Sequence, residues 1–247
     1  TNPNLKVCDI PAMVEVAKRH NLLVIVDNTF ASPWGCQPLS MGADLVIHST
    51  TKFLGGHSDL LGGAVVGSKE LIAQIFKGRV HFGGAPDPHN CYMLERGMRT
   101  LHARMPLITS NSAELAKRLL DHPKVVRVQH VTLPSHPDYE VAQRVVPRGC
   151  GMLGIVVAGG DDGAMEFMSK LDLFYEATSL GGVESLIEVP ATSSHMAMPV
   201  EVRIAAGIEP GYVRISVGIE DVEDLWEDLN QASVSYTHLR AHETQRN

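Results

Sequence analysis

The stretch DLVIHSTTKFLGGHSDLLGGAVVG, Asp44 to Gly67, decides the fold. It holds two short apolar runs, DLVI and GGAVVG, with one lysine and two glycines between them. A third run, LLVIVD, lies just upstream and ends in Asp27. Continuous apolar runs of strand length, without alternation, suit a sheet buried on both faces. The helical segment DIPAMVEVAKRHN precedes them, with Pro11 near its first turn, Met13, Val14 and Ala17 on one side and Asn21 as its stop. Helices interleaved with such strands predict an α/β architecture.

Farther along, Asn90 to His122 reads as helical. NCYMLERGMRTLHARM carries Met93, Leu94, Met98 and Leu101, and SNSAELAKRLLDHP pairs Leu115 with Leu119 before Pro123. The last third changes character. KVVRVQHV, GMLGIVVAG, LFYEATSL and YVRISVGI read as strands, and DGAMEFMSKL and EDVEDLWEDLNQ as helices. The second of these helices spaces Val222, Leu225, Trp226 and Leu229 for burial. Asp162 and Asp221 are the expected N-caps. The final VSYTHLRAHETQRN carries neither period and reads as disordered or foreign to the fold.

Composition removes several classes of function. The chain has 247 residues and a formal net charge of −7, which argues against a nucleic-acid surface. No apolar run is long enough to span a bilayer as a helix. The four cysteines, Cys8, Cys36, Cys91 and Cys150, have no C-x-x-C spacing, so a reduced cytoplasmic setting is expected. His48, His57 and Asp59 fit no H-E-x-x-H pattern, and no metal site is expected.

The chemistry gathers around Lys52. Asp27 closes a strand, and the C-terminal edge of a parallel sheet faces the crevice where such folds bind ligands. Lys52 also follows a strand, and desolvation there favours its neutral amine, the form that makes a Schiff base. Ser49, Thr50 and Thr51 offer hydroxyls to a phosphate. A pyridinium partner, a Schiff-base lysine and phosphate-binding hydroxyls are what pyridoxal 5′-phosphate asks of a protein. Taken singly, the same residues also read as a solvated lysine, a helix-capping aspartate and turn glycines.

The block from Val24 to Gly67, with SLGGVESLIEVPA and GYVRISVGIEDVEDL downstream, resembles the Cys/Met-metabolism PLP-dependent enzymes over about Thr1 to Gln231. The resemblance implies a fold-type I PLP-dependent transferase, aspartate-aminotransferase-like. Residues 1–105 would be the C-terminal portion of the large cofactor domain, residues 106–233 a connecting helix and small α/β domain, and residues 234–247 a non-native tail. By the same resemblance Lys52 carries the cofactor and shuttles protons, Asp27 pairs with the pyridinium nitrogen, Ser49 and Thr51 hold the phosphate, and Asn2 lies near the 3′-oxygen. Arg214 grips the substrate carboxylate and Ser179 lies beside it. Glu184 is either a substrate-side acid or an acid at a helix N-terminus.

The implied activity is γ-elimination or γ-replacement on cystathionine or an O-acylated homoserine. Methionine γ-lyase, O-acyl-homoserine sulfhydrylase and a catalytically inert fragment are the alternatives. ATSSHMAMPVEVRIAAGI departs from the family pattern where substrate side chains pass. The resemblance also implies a longer N-terminus than this chain has, and a cytoplasmic homotetramer.

Overall fold

A computed structural model describes residues 1–234. The first sheet lies within α1 (Ile10–Arg19), β1 (Ile25–Asp27), α2 (Ser32–Gly35), β2 (Leu45–Ser49) and β3 (Gly63–Gly67). β1 runs parallel to β2, and β3 pairs antiparallel with β2 on its other edge. Three helices follow: α3 (Lys69–Phe82), α4 (Pro88–Arg99) and α5 (Leu101–Leu120). The second sheet lies within β4 (Val125–Gln129), α6 (Tyr139–Val145), β5 (Met152–Val157), α7 (Gly160–Met168), β6 (Tyr175–Glu176), β7 (Leu186–Glu188), α8 (Val200–Ala205), β8 (Tyr212–Ser216) and α9 (Val222–Val234). Its strand order is β4-β5-β8-β7-β6, antiparallel except for the β6–β7 pair.

Burial on both faces holds for β2, where Leu45 and Val46 are buried, and fails for the flanking strands. Ile25, Val65 and Val66 stay exposed. Among the described residues, β1 and β3 each have a neighbour along one edge alone. In α1 the buried face is Ile10, Val14 and Ala17, while Met13 points outward, one position off the expected stripe. Asp9 caps that helix by accepting from the Ala12 N–H, and Asn21 follows it with a positive φ.

The core of the second sheet forms between α5, α7 and α9 and the strands. Leu115, Leu119, Leu153, Ile155, Val213, Ile215, Leu225 and Leu229 are all essentially inaccessible. Two expected helix ends change. α7 starts at Gly160, so Asp162 sits in its first turn and the glycine at 159 takes the cap position. Asp221 does cap α9, accepting from the Glu223 N–H at 2.8 Å. Beyond Val234 the tail expectation lies outside the described residues.

His130 is fully buried behind this sheet. Its Nδ1 pairs with Thr132 Oγ1 at 2.7 Å, and its Nε2 lies 3.2 Å from Ser112 Oγ. Burial pushes its pKa down from 6.5 to about 4. Between those values the unfolded chain binds a proton that the folded chain refuses, so stability is complete above pH 6.5 and is lost as pH falls toward 4. Urea unfolding followed against pH is expected to show a contribution of about 1.4 kcal/mol per pH unit across that window. His130→Asn should flatten this slope, and an unchanged slope would assign the loss to other groups.

Candidate active site

Lys52 stands on a turn that the sequence builds in an unusual way. After β2, Thr50–Leu54 closes with an i to i+5 hydrogen bond, Gly55 N–H to Thr50 O at 2.8 Å. The backbone of Lys52 itself leaves the helical region, at φ −91° and ψ −134°. Thr50 is buried, and its N–H donates to Gly62 O at 2.9 Å. The Lys52 side chain is thereby aimed across at the second sheet, where Nζ donates to Ser179 Oγ at 2.9 Å.

Arg104, from α5, holds this turn in place. It is 4% exposed, with no carboxylate among its described partners. Its Nη1 donates to Phe53 O and its Nη2 to Gly97 O, both at 3.0 Å, while Nε donates to Thr100 Oγ1 at 3.0 Å. Those two carbonyls lie at the C-terminal ends of the Lys52 turn and of α4. The negative ends of two helical segments therefore solvate one buried cation.

Two of the glycines are explained by close packing around this turn. A Cβ on Gly56, which also has φ +72°, would collide with the Arg104 guanidinium, and one on Gly97 would collide with Gly55 O. Gly97→Ala pushes backbone against backbone and is expected to cost about 1–3 kcal/mol in urea unfolding. A cost near zero would show that α4 can move away from the turn.

A cavity of about 740 Å³ opens in front of Lys52, lined among others by Asn2, Asp27, Ser49 and Arg214. Asp27 and Ser49 end neighbouring parallel strands, with Asp27 in register with Ile47. Thr29 ties the two ends together. Its N–H donates to Asp27 Oδ1 at 3.0 Å, and its Oγ1 accepts from Ser49 N–H at 2.8 Å. His48, next to them, is buried, and desolvation lowers its pKa against the opposing charge of Asp27. Asn2 is carried in by the chain start, which is tied to the second sheet: Tyr212 OH donates to Pro3 O at 2.9 Å, and Gln129 Nε2 to Asn4 O.

Thr51 and Glu184 lie elsewhere. With Ser179 they line a neighbouring cavity of about 560 Å³ that also touches Ser58, Asp59 and Asn90. Thr51 Oγ1 accepts from the Gly62 N–H at 3.0 Å. Glu184 accepts from Ser58 Oγ and precedes strand β7, so its reading as an acid at a helix N-terminus is corrected. The Lys52–Ser179 bond joins the two cavities, each residue lining one of them.

Arg214 lies on β8, the middle strand of its sheet, and is 2% exposed, so it is no edge-strand surface charge. Its Nη1 lies 2.7 Å from Glu188 Oε1 and also donates to Asn2 Oδ1 at 2.9 Å. Its Nη2 donates to Thr178 O and Ser179 O at 2.9 and 2.8 Å. Its Nε is buried without a hydrogen-bond partner. Burial lowers the Lys52 pKa, the Arg214 charge lowers it further, and Glu188 opposes them. Glu188 escaped the sequence reading. Its signal was an acid inside the apolar run LIEVPA, which is tolerated in a strand only when its charge is met.

A family model described as Cys/Met metabolism PLP-dependent enzyme matches residues 1–233. The chain belongs to that family. Among its curated relatives, a cystathionine gamma-lyase of Bacillus subtilis is 45% identical over 235 residues, covering 94% of this chain and 61% of the relative. An L-methionine gamma-lyase of Pseudomonas deceptionensis is 42% identical, covering 94% of this chain and 59% of the relative. A solved cystathionine gamma-lyase from Lactobacillus plantarum, complexed with L-serine, superposes with a TM-score of 0.91 at 38% identity, over 95% of this chain and 62% of that one. The chain therefore spans about three-fifths of the length of the relatives it matches.

The residues present fit the cofactor for which the family is named. A half-buried amine with a lowered pKa, a carboxylate at a strand edge, a hydroxyl beside it and a guanidinium with one unpartnered donor all line one cavity. When bound, pyridoxal 5′-phosphate supplies an electron sink for charge developing on an amino-acid skeleton.

Proposed function

We propose that the protein carries out PLP-dependent γ-elimination or γ-replacement on sulfur-containing or O-acylated amino acids, with cystathionine and O-acylated homoserine as first candidates. The observation that carries this reading is the Lys52–Ser179 contact at 2.9 Å, between a cavity holding Arg214 and a second, neighbouring cavity. Arg214 anchors the substrate carboxylate. Lys52 Nζ removes and returns protons along the substrate chain, and Ser179 Oγ orients it. Asp27 pairs with the cofactor's ring nitrogen, and Ser49 and Thr51 with its phosphate. Asn2, held beside Arg214, faces the ring oxygen. Glu184 lines the path of the substrate's far end, which sets the leaving group in the second cavity.

The test is to supply the chain with pyridoxal phosphate and then cystathionine, methionine or an O-acyl-homoserine separately. Release of a 2-oxoacid and ammonia marks elimination, and a new thioether formed with added thiol marks replacement. Cofactor uptake without turnover of any of the three would favour the inert-fragment alternative. A preference for methionine would favour the methionine γ-lyase reading, which the Pseudomonas relative supports.

We also place the protein in the cytoplasm as a homotetramer. Among the described residues, no helix is long and apolar enough to cross a membrane. α3 exposes Phe76, Val80 and Phe82, apolar side chains that a further subunit would cover. Sedimentation velocity reads the assembly directly, and a monomer at micromolar concentration would reject it.

A further inference from the structure

Arg214 donates three hydrogen bonds within the protein, from Nη1 to Asn2 Oδ1 and from Nη2 to Thr178 O and Ser179 O, and its Nη1 also lies in ion-pair contact with Glu188 Oε1 at 2.7 Å. Nε is buried and has no hydrogen-bond partner. A ligand carboxylate therefore meets a guanidinium whose orientation is already set.

Glu188 supplies the charged partner among the described contacts of Arg214. It lies directly opposite Arg214 in the β7–β8 register and is 1% exposed. Its carboxylate is itself fixed, with Ser193 Oγ donating to Oε2 at 2.9 Å and Ser194 Oγ to Oε1 at 3.3 Å. A buried cation beside a second amine would be costly without such a partner.

We propose that Glu188 is a positioning residue for this site: the resident counter-ion of Arg214, which fixes the guanidinium at the cavity and limits how much of its positive charge reaches Lys52. This rests on the reading of Lys52 as the cofactor-bearing amine. The pKa influences on Lys52 run the same way, since Arg214 lowers it and Glu188 raises it.

Other titratable groups surround the pair. Tyr212, on β8, is pushed up by burial and stays neutral, and His195 touches Ser194 Oγ through Nδ1. Across the cavity stand Asp27, Lys6, Cys8, Cys36, Cys150 and the Thr1 amino group. None of these changes in the variants below, so their contribution is common to all of them.

The experiment is competitive acylation of the cofactor-free chain with acetic anhydride from pH 6 to 11, the Lys52 peptide being quantified by mass spectrometry against exposed Lys69. Glu188→Gln keeps the size of the side chain and removes its charge. Its Lys52 labelling midpoint is expected to fall by about one pH unit, a roughly tenfold larger neutral fraction below the midpoint. An unchanged midpoint in a variant that still unfolds cooperatively overturns the proposal.

If E188Q does not fold, R214Q is compared with the double variant E188Q/R214Q. The proposal then requires the higher Lys52 midpoint in R214Q, and equal midpoints overturn it. The functional reading fails separately, by absence of pyridoxal phosphate on Lys52 in the unaltered chain, a measurement that the labelling does not use.

Discussion

Lys52→Ala is expected to abolish covalent incorporation of pyridoxal phosphate. In the unaltered chain, incubation with the cofactor followed by borohydride should leave a stable pyridoxyl group on the Lys52 peptide and nowhere else in quantity. The alanine variant should show none, with loss of the visible absorbance that accompanies attachment. Other lysines do not substitute for Lys52. It combines partial burial, a pKa lowered by desolvation and a neighbouring cation, and a position on the cavity that also holds Asp27 and Ser49. The fold should barely notice the change, because Nζ makes one hydrogen bond, to Ser179, and that bond is only partly buried. A thermal melt within a few degrees of the parent therefore accompanies complete loss of attachment. Retention of the pyridoxyl group in the variant would remove Lys52 from the centre of the site.

Arg214→Met is expected to have the largest effect on stability. The pair it breaks is buried on both sides, at 2% and 1% exposure. Removing the cation leaves the Glu188 carboxylate in the sheet interior with only two serine hydroxyls, and losses of about 3–5 kcal/mol follow from an uncompensated buried charge. Asn2, Thr178 and Ser179 lose their donor as well. The double variant E188M/R214M removes both charges and should recover more than half of the loss, since an apolar pair of similar volume can replace a buried ion pair. Urea unfolding of the two single variants and the double one measures the coupling. Additive losses would mean that the two residues stabilise the sheet independently, against the 2.7 Å contact.

Local patterns carried a large share of the reading, for identifiable reasons. β5 formed where a continuous apolar run stood between turn signals, because a run of that length with β-branched residues packs on both faces, and the largely apolar runs of β8 and β4 formed as the middle strand and an end strand of the same sheet. Leu225 and Leu229 of α9, and Leu115 and Leu119 of α5, were legible from helical spacing alone. β6 shrank to Tyr175–Glu176 because it is the outermost strand and pairs along one edge. β7 escaped notice because Glu188 interrupts its apolar pattern, and α3 because its apolar residues are not gathered on a buried face: none of its residues is buried. The break between α4 and α5 falls at Thr100, although Pro106 lies inside α5. The Arg104 clamp on Gly97 and Thr100 favours a break there, and that contact comes from packing against the Lys52 turn.

The amino-acid sequence by itself carried the α/β class and the family, because both are written in contiguous stretches, and it pointed to Lys52 as the candidate amine. Only the tertiary structure decided what surrounds that amine. The Glu188–Arg214 pair depends on the register of two strands separated by a helix and a long loop. The support from Arg104 depends on two helical ends meeting at one guanidinium. Partners distant along the chain leave no periodic trace in either segment, since a charge in a strand reads the same whether solvent or an opposite charge will meet it.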